Sequence, residues 1–165
     1  MSAYSDVLSL LESKGIDFKV RHHPPVKTIK DAEEKAAELV EDLLKTIAFR
    51  IKDSVWVLAA VRCRDRIDYR KLAASLGVNR RQLFSLSPEE VQAELGYEIG
   101  GVGPIPLRND VIAIFDNHLA DAGTVRCGSG SNTRTLELQF ADLLRATGGR
   151  TCDIVRNSAP TEEPP

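Results

Sequence analysis

Lys45 opens the apolar segment KTIAF, and Gly100 to Pro104 gathers three glycines and a proline into GGVGP. Glycines let backbone N–H groups approach a ligand closely and line a concavity for an anion or an oxyanion. An ammonium beside such a loop favours a phosphate or a developing oxyanion. The same residues also suit a strand-end lysine whose stem covers apolar surface, and a plain tight turn. Spacing alone leaves both readings open. A second small-residue loop, GSGSN from Gly128 to Asn132, has neither the Walker nor the Rossmann spacing and by itself reads as a turn.

Other chemistries find less support. His22 and His23 are adjacent, so on a strand they point to opposite faces, and His118 stands apart. No metal site is expected, and no cofactor. There is no GxSxG elbow, and Cys63, Cys127 and Cys152 form no CxxC pair, which fits reduced thiols, with Cys63 packed in the core.

Charge is unevenly spread. Of 165 residues, 22 are Lys or Arg and 24 Asp or Glu, yet Arg50 to Arg81 holds nine basic residues against three acidic ones, a net +6 that leaves −8 for the rest. One face can therefore meet a phosphate backbone while the others keep the chain soluble, with Arg62, Arg64 and Arg66 as candidate RNA contacts. A solvated arginine surface is the plainer alternative. No apolar run approaches the roughly 18 residues of a membrane span, and the first residues do not resemble a signal peptide, so a cytoplasmic protein without membrane contact is expected.

The elements that must position these residues follow from pattern. A helix ends near Lys14, before Gly15, and Ile16, Phe18 and Val20 alternate as a half-buried strand. A second helix is expected over Thr28–Leu44. KTIAFRI and VWVLAAVRC read as a hairpin whose second strand, apolar on both faces, belongs at the centre of a sheet. Tyr69 to Leu76 forms a helix closed by Gly77, Gln82 to Ser85 a short strand, and Ser87-Pro88-Glu89-Glu90 starts a helix running to Leu95. Strands are expected at Val111–Phe115, Thr124–Cys127 and Thr135–Gln139, then a helix over Ala141–Ala146. The order mixes hairpins with helical crossovers, giving an α/β (α+β) class with a mixed sheet. One domain spans residues 1–156, and the polar, proline-rich residues 157–165 are expected to be a disordered tail.

PPVKTIKDA at 24–32, LLKTIAFR at 43–50, RKLAASLG at 70–77 and above all LGYEIGGVGPIPL at 95–107 resemble the YbaK/ProX family of aminoacyl-tRNA deacylases, related to the editing domain of bacterial prolyl-tRNA synthetases. The resemblance implies a compact, barrel-like mixed β-sheet flanked by helices. It also implies a free-standing trans-editing enzyme that hydrolyses the ester between a wrong amino acid and the 3′-terminal adenosine of tRNA, typically tRNA(Pro) carrying alanine or cysteine. Its partners would be mischarged tRNA and prolyl-tRNA synthetase. The family's functional lysine matches Lys45 and its GxxxP loop matches Gly100 to Pro104. Lys45, Gly100, Gly101 and Gly103 are thus the catalytic candidates; Tyr97, Val102, Pro104, Gly128, Ser129 and Gly130 are the substrate-binding ones. With no obvious protein base, the substrate's own 2′-hydroxyl would steer the attacking water. Some branches carry a histidine in the second loop where Ser131 and Asn132 stand here, so the amino acid removed stays open. The competing reading is a non-catalytic module that binds tRNA or recruits a synthetase.

Overall fold

The computed structural model describes residues 2–25 and 42–157. The helix expected over Thr28–Leu44 lies outside the described residues except at its end, where Leu44 already belongs to a strand; the expected tail lies outside them from residue 158 onward.

Helix α1 (Ala3–Ser13) starts where the Ser2 hydroxyl accepts the Ser5 N–H, and it buries Val7 and Leu11. Strand β1 (Lys19–His22) begins later than the alternation predicted and runs one residue past Arg21. The expected hairpin is present: β2 (Leu44–Ile51) and β3 (Trp56–Arg62) pair antiparallel from Leu44–Arg62 to Arg50–Trp56. Helix α2 (Tyr69–Leu76) is capped by the Asp68 carboxylate, and β4 (Leu83–Ser85) pairs with the far end of β2. Helix α3 (Pro88–Leu95) carries a complete capping box, Ser87 and Glu90 each accepting the other's backbone N–H. Strands β5 (Val111–Asp116), β6 (Thr124–Gly128) and β7 (Arg134–Gln139) lead into α4 (Phe140–Thr147) and β8 (Arg150–Cys152).

Two sheets result. The larger has the order β4-β2-β3-β5-β8, with β3, β5 and β8 parallel; the smaller is antiparallel, β1-β7-β6. They meet at a seam where the Arg126 N–H donates to the Asp42 carbonyl and Leu43 bridges Arg126. The described strands form two joined sheets rather than a closed barrel.

β3 is apolar throughout because both its faces are covered. Val57, Ala59 and Val61 pack with Phe49, Leu72 and Ala73 on the α2 side. On the other side Ala60 joins Leu44, Phe115, Cys127, Leu136 and Phe140 in the core between the sheets, and Leu58 joins Ala48, Val91 and Tyr97. Burying side chains of this size contributes roughly 1.5–3 kcal/mol each, so this central strand anchors everything placed on it.

Candidate active site

The glycine loop is held at both ends by one residue. Gly96 ends α3, and Tyr97 then turns inward, 2% exposed, its hydroxyl donating to the Ile105 carbonyl at 2.5 Å. Burial pushes this phenol well above its ordinary pKa. With ring and hydroxyl both committed to packing, Tyr97 supports the loop from beneath rather than lining a pocket over it.

Residues 98–104 then lie against residues 128–132. The Gly101 N–H donates to Glu98 O at 2.8 Å, Gly130 N–H to Gly101 O at 2.7 Å and Glu98 N–H to Gly130 O at 3.1 Å. The Glu98 carboxylate accepts the Asn132 N–H at 2.8 Å, and the Asn132 amide donates to Ile99 O. Ser129 is buried, its hydroxyl donating to Arg134 O at 2.5 Å. The two glycine-rich segments are thus one laced structure. A Cβ on Gly103 would stand 2.0 Å from Gly128 O, one on Gly128 2.0 Å from Val102 O, and one on Gly101 2.6 Å from the Ser131 carbonyl carbon. Sequence reasoning assigned these glycines to close approach of a ligand. Their first use is close approach of main chain to main chain.

The lacing narrows the donors open to a substrate. Gly101 and Gly130 use their N–H groups internally, whereas those of Gly100, Val102 and Gly103 have no acceptor among the described residues. Gly103 and Pro104 are buried, Val102 partly so and Gly100 exposed. An oxyanion is held where two or more such N–H groups converge on one point.

Lys45 is partly buried near the start of β2, opposite Val61. Burial lowers its pKa; Cys63 and Asp65 act against that shift, and Arg66 adds to it. Alternation along β2 sets Lys45 on the side of Ile47 and Phe49, which pack towards α2. Thr46 falls on the side of Ala48, which packs with Tyr97 beneath the glycine loop. The lysine stem must therefore reach around the end of the sheet for its ammonium to act on a substrate lying on the laced loops. The residue of this pair that sequence reasoning missed is Thr46. Its hydroxyl is buried and, among the described residues, is the buried side-chain polar atom left without a partner. Its position next to Lys45 was the available signal. Glu98, which ties the loops together, was also missed, because its contacts reach more than thirty residues along the chain.

Arg62, Arg64 and Arg66 end β3 and form the turn beyond it, on the same edge as Lys45. Arg62 stands 3.8 Å from the Asp42 carboxylate, and Arg64 and Arg66 are exposed. Among the described residues no cluster of three His, Cys, Asp or Glu side chains could hold a metal, and no helix is long and apolar enough to cross a membrane.

The chain belongs to the aminoacyl-tRNA editing domain family, which it matches over residues 23–146. It is 27% identical over 148 residues to the prolyl-tRNA editing protein ProX of Acetoanaerobium sticklandii, covering 87% of this chain and 89% of that one. It is 31% identical over 116 residues to the uncharacterized protein YwhH of Bacillus subtilis, covering 70% and 72%. A proline–tRNA ligase of Limosilactobacillus fermentum is 28% identical over 66% of this chain, which spans 19% of that enzyme. Among solved structures, a candidate trans-editing enzyme for prolyl-tRNA synthetase superposes with a TM-score of 0.78 at 26% identity, over 95% of this chain and 99% of the other.

Proposed function

We propose that this protein is a free-standing deacylase that releases a small amino acid, alanine or cysteine, from mischarged tRNA(Pro). The observation that carries the reading is the strip of unengaged N–H groups at Gly100, Val102 and Gly103, in a chain whose relatives include a prolyl-tRNA editing protein. Hydrolysis adds water oxygen to the ester carbonyl carbon. The tetrahedral oxyanion takes hydrogen bonds from the loop, the bond from carbon to the ribose 3′ oxygen breaks, and that oxygen leaves with a proton. An activated ester needs positioning and charge stabilisation more than a protein nucleophile. The substrate's 2′-hydroxyl orients the water, and the Lys45 ammonium, reaching past the sheet end, holds the terminal phosphate or the ester region. A small pocket rejects the larger proline ring by size. Mischarged tRNA is the substrate, and prolyl-tRNA synthetase, which produces it, is the partner this activity serves.

The test is Lys45→Ala assayed with Ala-tRNA(Pro) under single-turnover conditions. The proposal expects deacylation to fall by about a hundredfold, the scale of losing one oriented charged contact, with the melting temperature retained. Undiminished deacylation would remove Lys45 from the mechanism.

A further inference from the structure

On the α2 side of the large sheet, the face away from the laced loops, a cavity of about 530 Å³ is lined by Asp68, Tyr69, Arg70, Arg80 and Arg156. None of these belongs to the glycine cradle. Its walls are the chains that leave two parallel strands, β3 and β8, stitched together: Asp68 N–H donates to Ile154 O at 2.7 Å, Arg156 N–H to Arg66 O at 2.8 Å, and Ile67 bridges Val155. Arg70 and Arg156 follow these tied segments, and Arg80 opens a separate short turn capped by Asn79.

The one acid in the cavity does not balance them. Asp68 caps α2, its carboxylate accepting the N–H groups of Arg70 at 2.9 Å and Lys71 at 3.1 Å. The nearby Asp153 pairs with the Lys71 ammonium at 3.2 Å. Arg80 is held 4.8 Å over the Tyr69 ring and donates to Leu83 O, while Tyr69 packs edge-on against Phe49. Arg70 and Arg156 have no carboxylate partner among the described residues. All three arginines are exposed at the cavity mouth, and like charges gathered without counter-ions repel, so an anion between them is favoured. Guanidinium forks match phosphate oxygens in particular.

The geometry points to a phosphate-binding pocket here, and, resting on the editing reading, to a backbone phosphate of the tRNA as its occupant while the 3′ end lies on the other face. A free polyphosphate offers the same chemistry, so the experiment separates the two. Binding of a synthetic RNA hairpin with a single-stranded 3′ end is measured by fluorescence anisotropy against salt, using the whole chain. The wild type is compared with the Arg70→Ala, Arg156→Ala double variant and with Arg145→Ala, whose arginine lies on α4. Each duplex phosphate contact contributes about 0.9 to the slope of log affinity against log salt. With one phosphate held by both arginines, the double variant should therefore lose about 1 from the slope and bind about tenfold or more weakly, while Arg145→Ala stays unchanged. Pyrophosphate should displace the hairpin from the wild type.

If pyrophosphate binds through Arg70 and Arg156 while the RNA slope is unaltered, the RNA assignment is overturned. If neither ligand senses the substitutions, the phosphate pocket itself is overturned. Aminoacyl-adenosine, which lacks a phosphate, should be hydrolysed equally by the double variant and its parent; a loss there, with a lower melting temperature, would make the arginines structural and overturn the pocket. A slope change in a parent that deacylates no tRNA would defeat the editing reading and leave the pocket standing.

Discussion

Replacing Gly103 by alanine probes the lacing of the two loops with a single methyl group. Its Cβ would sit 2.0 Å from Gly128 O, and real Cβ atoms essentially never approach another heavy atom below 3.0 Å, so the segments must part by at least 1 Å. The obstacle is main chain, which cannot swing aside as a side-chain tip can. Overpacking of this kind costs about 1–3 kcal/mol. At roughly 2–4 °C per kcal/mol for a chain of this size, the melting temperature should drop by about 2–12 °C. The same parting displaces the N–H groups of Val102 and Gly103, and a 1 Å misplacement of catalytic groups lowers a rate by up to about a hundredfold. Gly123→Ala is the control, since nothing lies within 4 Å of a Cβ there. Thermal melts and single-turnover deacylation on both variants, and on Gly128→Ala, read the result. Gly103→Ala and Gly128→Ala should each show the loss, and their combination should cost less than the sum, because both open one contact. A Gly103→Ala protein that melts and turns over like its parent would refute the lacing argument.

Thr46→Val keeps the shape of a buried side chain and removes its unpartnered hydroxyl. It should stabilise the fold by about 1 kcal/mol in urea denaturation, and a destabilised variant would mean that the hydroxyl has a partner in solution. Because burial lowers the Lys45 pKa below 10.5, deacylation that depends on its cation should decline on the alkaline side before an ordinary lysine titrates, once spontaneous ester hydrolysis is subtracted. The decline should vanish in Lys45→Arg, and an unchanged limb in that variant would assign the titration elsewhere. The stability effect has its own sign: the folded state disfavours the buried cation, so this contribution turns more favourable as pH rises through the lowered pKa towards 10.5.

The elements bounded by local chemistry were legible. Gly77 closing Tyr69–Leu76, and Ser87-Pro88-Glu89-Glu90 opening the next helix, announce α2 and α3 at their observed ends. The unbroken apolar run of β3 announces a strand covered on both faces. β8 was not legible, because Arg150–Cys152 is three residues long and owes its pairing to the end of β5 rather than to any pattern of its own. β1 was displaced because its register is fixed by β7, from Lys19–Glu137 to His22–Arg134, and not by its own alternation.

The site was legible in its parts and not in its assembly. GGVGP reads as an anion-binding concavity or a tight turn and GSGSN as a turn, and nothing in either shows that Gly103 touches Gly128 or that Glu98 holds Asn132. Those contacts arise only once β6 and the chain after α3 are brought together by the core. Lys45 was visible as an ammonium in an apolar segment. Its side of the sheet, and the presence of Thr46 on the other, depend on the register with β3.

Release of amino acid from tRNA(Pro) charged separately with alanine, cysteine, serine and proline is the decisive assay of the proposed deacylation. Incubated with the purified protein, at least one of the small aminoacyl esters should be cleaved well above the buffer rate, while Pro-tRNA(Pro) remains intact. Hydrolysis of none of the four, or of the prolyl ester as fast as the others, would contradict the account.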